Sequence, residues 1–77
     1  MSMSTTMVDA RGMRCPWPAL RLARALRGGP ESVELLADDP AAERECRAVA
    51  DSAGYSFAAL ESGRFRARVN TSFTRQP

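Results

Sequence analysis

The chain has 77 residues, 11 basic and 9 acidic side chains for a net charge of +2, two Cys and no His. Every basic residue is Arg, so Lys is absent as well. These counts exclude imidazole acid–base steps, Ser-His and Cys-His dyads, lysine Schiff bases and a four-ligand zinc site closed within one chain.

A chain this short forms one domain with a small core. Its five aromatics (Trp17, Tyr55, Phe57, Phe65, Phe73) leave that core mostly aliphatic and alanine. The longest apolar run, Phe57-Ala58-Ala59-Leu60, is far short of the roughly 18 residues a membrane span needs. Residues 1–6 lack the basic start and apolar stretch of a signal peptide. The expected location is the cytoplasm, where thiols stay reduced and two Cys do not make a disulfide framework.

Residues 1–6 read as a flexible polar lead, 7–70 as the single domain and 71–77 as a short tail. Met7-Val8-Asp9-Ala10 reads as the first strand, ended near Gly12. A helix is expected over residues 16–27, because Ala19, Leu22, Ala23 and Leu26 recur at i, i+3, i+4 and i+7. Gly28-Gly29-Pro30 stops it, with a glycine for the left-handed position and a proline just beyond.

Val33, Leu35 and Ala37 alternate with Glu34 and Leu36 as a second strand. Asp39 is expected to cap a second helix over residues 41–52, with Pro40 in its first position. Its apolar stripe is Ala42, Cys46, Val49, Ala50 and Ala53, and Gly54 ends it. Residues 55–60 make a third strand, 61–63 a hairpin turn and 64–69 a fourth strand. On the last, Phe65, Ala67 and Val69 face inward and Arg64, Arg66 and Arg68 outward.

The order is β-α-β-α-β-β. Two amphipathic helices and one apolar sheet face give a two-layer α/β (α+β) sandwich, with a four-stranded mixed sheet and both helices on one side. Strand–helix–strand passages favour parallel pairing, and the final hairpin is antiparallel. The other sheet face is solvated, and its arginines are expected to pair with Glu34 or Glu61. A small net charge and no exposed aromatic interleaved with those arginines argue against direct nucleic-acid binding.

The sharpest local feature is Arg14-Cys15-Pro16-Trp17-Pro18. A residue before proline is extended, so Cys15 is expected at the N-cap, Pro16 at N1 and Pro18 at N3. A thiol there meets the positive end of the helix dipole, with Arg11 and Arg14 adding positive potential, and its pKa should fall. Position 18 is Pro, so no second thiol stands ready to expel a mixed disulfide. An adduct on Cys15 would persist until a partner attacked it, which is carrier behaviour.

Here the sequence resembles the TusA/SirA-like sulfur-carrier family. One matching block is Val8-Asp9-Ala10-Arg11-Gly12-Met13-Arg14-Cys15-Pro16-Trp17-Pro18, and the other is Val33-Glu34-Leu35-Leu36-Ala37-Asp38-Asp39-Pro40-Ala41-Ala42. The resemblance covers about residues 7–70. It implies the same two-layer sandwich, and that Cys15 carries sulfane sulfur as a persulfide, with Pro16 and Pro18 setting the turn. It further implies a cysteine desulfurase or rhodanese-type donor and an acceptor protein. Acceptors in the family serve tRNA thiolation, cofactor assembly or sulfur oxidation. The family often has D-I where this chain has Glu45-Cys46, and His where it has Tyr55.

No metal and no cofactor beyond that covalent sulfur is expected. A strand terminus and a cap account for Asp38 and Asp39, and a packed thiol accounts for Cys46. Trp17, Leu20, Arg21 and Arg24 lie away from the core stripe of the first helix. They read either as a solvated face or as a partner-docking surface beside the thiol. A monomer is expected. The competing readings are an interaction module with a structural Cys15, and a thiol-redox protein using Cys15 with Cys46.

Overall fold

The computed structural model describes residues 5–69. The polar lead up to residue 4, the tail from 71 and Phe73 lie outside the described residues. The elements in chain order are β1 (Thr5–Asp9), α1 (Trp17–Arg27), β2 (Ser32–Leu36), α2 (Ala42–Ser52), β3 (Tyr55–Glu61) and β4 (Arg64–Val69). Thr5 and Thr6 therefore belong to the sheet and not to the lead, because both pair with β2.

The sheet order is β1-β2-β4-β3. β1 and β2 are parallel neighbours, as the crossover through α1 requires. β2 and β3 run in the same direction but are not neighbours. β4 lies between them, antiparallel to both. The parallel pairing expected across the second helix thus holds in direction only.

The core lies between the sheet and the helices. α1 contributes Pro18, Ala19, Leu22 and Leu26, and α2 contributes Ala42, Cys46 and Ala50. They meet Val33, Leu35, Phe57, Phe65 and Ala67 from the sheet. Phe57 and Phe65 stack with centroids 5.5 Å apart. Leu22 is fully buried, a contribution of about 1.5–3 kcal/mol. Two expected inward positions are exposed. Val69 ends β4 beyond the helices' cover and Ala53 lies past the end of α2.

Both helices stop on glycine. Gly29 takes φ 76° after α1, and its N–H donates to the Leu26 carbonyl at 3.0 Å. The β3–β4 hairpin turns on Ser62-Gly63. Gly63 has φ 78°, and a Cβ there would sit 3.1 Å from the Ala37 carbonyl oxygen. Both constraints select glycine.

The outer sheet face carries the arginines of β4. Glu34 on β2 receives Arg66 at 2.9 Å and Arg64 at 3.4 Å, and Arg64 also reaches Glu61 at 2.7 Å. This is the pairing the alternation predicted. Among the described residues, no helix is long and apolar enough to cross a membrane.

Candidate functional site

The segment between β1 and α1 is shaped by short backbone bonds. Ala10 is fully buried and donates to the Leu36 carbonyl at 2.7 Å. Gly12 turns the chain at φ 81°. Met13 donates to the Ala10 carbonyl at 3.2 Å and packs against the core. Trp17 donates to the Arg14 carbonyl at 2.8 Å, and the i→i−4 ladder opens with Leu20 donating to Pro16 at 3.0 Å. The Cys15–Pro16 peptide is cis.

That ladder corrects the expected frame by one residue. Pro16, not Cys15, occupies the N-cap, Trp17 is N1 and Pro18 is N2. No side chain caps α1. The Arg14–Trp17 turn occupies the first free N–H, so the helix starts a residue later. Pro18 does more than tolerate the first turn: it is among the largest fully buried side chains. Its missing N–H costs no bond there, which lets the ring serve as core.

Cys15 is exposed and Cys46 is buried, and both are free thiols. The expected fall in the Cys15 pKa is not found; the thiol is pushed up. Partial desolvation is the first cause, followed by the negative charges of Glu45 and Asp39, with Arg44 opposing. The arginine expected to help is occupied elsewhere. Arg11 Nε and Nη2 donate to the Asp9 carboxylate at 2.9 and 2.8 Å. That pair holds Asp9 down to about 2, the Arg11 side-chain hydrogen bonds being the main cause. Burial, aided by Glu45, pushes the Cys46 thiol up to about 11.

The thiol segment is fastened to the loop leading into α2. Gly12 N–H donates to Asp38 Oδ1 at 2.9 Å. Asp39 Oδ2 accepts the Ala41 N–H at 3.1 Å, and its carbonyl accepts that of Ala42 at 2.9 Å. Asp39 therefore closes the turn before α2 and does not cap the helix as expected. Ala41 holds the N-cap, no side chain caps α2, and Pro40 lies before the first helical position, because the Asp39 turn delays the helix start to Ala42. Gly12, Met13, Arg14, Asp38, Asp39 and Pro40 line a shallow cavity of about 260 Å³ at this junction. Among the described residues, no group of three or more His, Cys, Asp or Glu is placed to hold a metal ion.

On the outer face of α1, Trp17 is 59% and Leu20 51% exposed. Arg21 and Arg24 are exposed beside them, and Arg21 reaches the Met13 sulfur at 3.8 Å. Trp17 and Leu20 thus lie in the first turn of α1, next to the Cys15 turn, Arg21 reaches back to Met13, Arg24 lies in the last turn, and Arg11 is turned back onto β1. Sequence reasoning missed the Gly12–Asp38 tie and the carboxylates near the thiol, since both depend on how two distant loops meet.

No curated protein sequence matches the chain. A crystal structure of a SirA-like protein from Desulfitobacterium hafniense is similar. It is 28% identical, the match covers 80% of this chain and 90% of that one, and the TM-score is 0.67. The family model described as Sulfurtransferase TusA matches residues 6–71. That span takes in all six elements except the first residue of β1, together with the C-P-x-P turn and the D-D-P loop, and the chain belongs to the TusA sulfurtransferase family.

Proposed function

We propose that this protein is a sulfur carrier that accepts sulfane sulfur on Cys15 as a persulfide and hands it to a partner protein. The observation that carries this reading is the contrast between the two thiols. Cys15 is exposed in the turn before α1, while Cys46 is sealed in the core. In the transfer the Cys15 thiolate attacks the outer sulfur of a donor persulfide. A new S–S bond forms on Cys15, the donor S–S bond breaks, and the donor cysteine leaves as a thiolate. No external oxidant or reductant takes part.

The donor would be a cysteine desulfurase or a rhodanese-type protein. The acceptor would be a second protein of a sulfur relay, in the cytoplasm where thiols stay reduced. The chain acts as a carrier and not as a stand-alone enzyme, because no accessible second thiol expels the bound sulfur. Burial of Cys46 weighs against a Cys15–Cys46 redox pair, and exposure of Cys15 weighs against a purely structural role.

Docking is assigned to Trp17, Leu20, Arg21 and Arg24. α1 contains no acidic residue, so its exposed face suits a partner with an acidic rim and an apolar pocket. Pro16 and Pro18 set the turn, and Arg14 stands next to the thiol.

The test is to incubate the reduced protein with a cysteine desulfurase and cysteine, then record an intact mass. Wild type and Cys46→Ala should gain one sulfur atom and Cys15→Ser should not. No gain with any persulfide donor overturns the carrier. A loss of two hydrogens that requires both cysteines supports the redox pair instead.

A further inference from the structure

The sheet has two edges, and the fold treats them differently. β3 is blunted in two ways that protect an edge. Its pairing with β4 shifts between Ala59 and Glu61, and Arg47 Nη1 donates to the Phe57 carbonyl at 3.2 Å. β1 has neither device. It pairs with β2 in unbroken register from Thr5 to Asp9, and among the described residues no other strand lies against it. The Ala10 N–H donates inward to the Leu36 carbonyl. Backbone groups alternate in direction along a strand, so those of Met7 and Asp9 point away from β2, along the open edge.

Beside that edge, Val8, Arg21, Arg24 and Ala25 line a groove of about 490 Å³ between β1 and α1. Both arginines are exposed. Among the described residues the ion pairs use other arginines, and Arg21 meets the Met13 sulfur at 3.8 Å. Nothing on α1 offsets them, because the helix has no acidic residue. Asp9, the one charge on β1, is committed to Arg11. The groove therefore presents two cations to whatever pairs with β1. A second copy set edge to edge would bring its own Arg21 and Arg24 against the first pair, so like charges oppose that occupant.

We propose that the β1 edge and the α1 arginines form one docking site for an extended acidic segment of a partner protein, which joins the sheet as a fifth strand. Its backbone pairs with the free N–H and C=O groups of Met7 and Asp9. Its side chains alternate between the two faces of the sheet. Every second one falls over the groove, where carboxylates meet Arg21 and Arg24. The others lie on the outer face beside Met7, which is 61% exposed. The inference rests on the docking reading of Arg21 and Arg24, and its test involves no sulfur.

The experiment is NMR shift mapping and amide hydrogen exchange, with the capped peptide Thr-Glu-Val-Glu-Thr-Glu-Val as probe and its lysine counterpart as control. At millimolar acidic peptide the Met7 and Asp9 amides should shift, and Met7 exchange should slow by about ten-fold or more. The lysine peptide should leave both unmoved. Replacing both arginines, Arg21→Gln with Arg24→Gln, should weaken binding about five-fold. Met7→Pro removes an outward N–H and no bond to β2, so it should fold and bind the peptide poorly. If it unfolds, the two peptides on wild type still decide. No shift with the acidic peptide, equal binding of the lysine peptide, or unchanged affinity without the two arginines overturns the proposal. Protection of Met7 in the free protein also overturns it. Protection that grows with concentration assigns the edge to a second copy, and protection that does not assigns it to the chain's own end segments. Sulfur uptake from a desulfurase is scored separately. Peptide binding without uptake keeps the edge site and sinks the carrier, and uptake without peptide binding does the reverse.

Discussion

The Gly12 N–H donates to Asp38 Oδ1 across 2.9 Å, so the strand-to-helix segment bearing Cys15 is tied to the loop that opens α2. These residues are 26 positions apart. The segment leading to the C-P-x-P turn and the D-D-P loop are thus the two sides of one junction. Asp38→Ala should lower stability by about 1 kcal/mol, read as a lower urea midpoint. It should also slow sulfur acceptance by freeing the thiol segment. An unchanged rate with reduced stability would confine the bond to a structural role.

Thiol counting separates the two cysteines. A disulfide reagent under native conditions should titrate one thiol, and that thiol should vanish in Cys15→Ser. The second, Cys46, is fully buried and held up at about 11, so it should react only after denaturant is added. Two fast thiols in the native protein would contradict the burial.

Tyr55 has a structural job of its own. Its buried hydroxyl donates to the Pro30 carbonyl at 2.6 Å, joining the start of β3 to the turn after α1. Tyr55→Phe leaves that carbonyl without its partner, at a cost of about 1–2 kcal/mol. In a domain of this size each kcal/mol corresponds to about 4–8 °C in Tm. Calorimetry of the variant checks it.

Acid should destabilise the fold in a defined window. Hydrogen bonds from Arg66 and then Arg64 hold the Glu34 carboxyl below its ordinary 4.5. Arg11 holds Asp9 at about 2, against an ordinary 3.8. A depressed carboxylate contributes stability that is present above its unfolded value and lost as pH falls through its folded value. Urea midpoints should therefore decline from about pH 5 to about pH 2, and Glu34→Gln should flatten the upper part of that decline.

Trp17→Ala and Leu20→Ala should leave stability within about 0.5 kcal/mol, because both side chains are more than half exposed. They should lower the rate of sulfur transfer from a desulfurase by about ten-fold or more if this face docks the donor. Reversing Arg21 and Arg24 to Glu should slow the transfer most at low salt. Unchanged transfer in all four variants would assign docking elsewhere.

The fold was legible because each element carries its own period. The i, i+3, i+4, i+7 stripe of Leu22 and Leu26 and the alternation of Phe65 and Ala67 state which side is buried before any contact is known. Element ends were less legible. The helix start moved from Pro16 to Trp17 because a turn closed by the Arg14 carbonyl occupied the first N–H. Strand neighbours were illegible too: alternation says which face is buried and not that β4 inserts between β2 and β3.

By itself, the sequence determined the chemistry on offer: two thiols, no imidazole, no lysine, and a proline-framed Cys15 entering a helix. Tertiary structure alone decided the electrostatics of that thiol. The helix end and two nearby arginines argued for a low pKa, because sequence neighbours were the only charges in view. Folding turned Arg11 onto Asp9 and brought Glu45 and Asp39 in from about 25–30 residues away. Desolvation of the thiol comes first, and because charge acts through space the distant carboxylates add to it, so the neighbouring arginines did not set the sign.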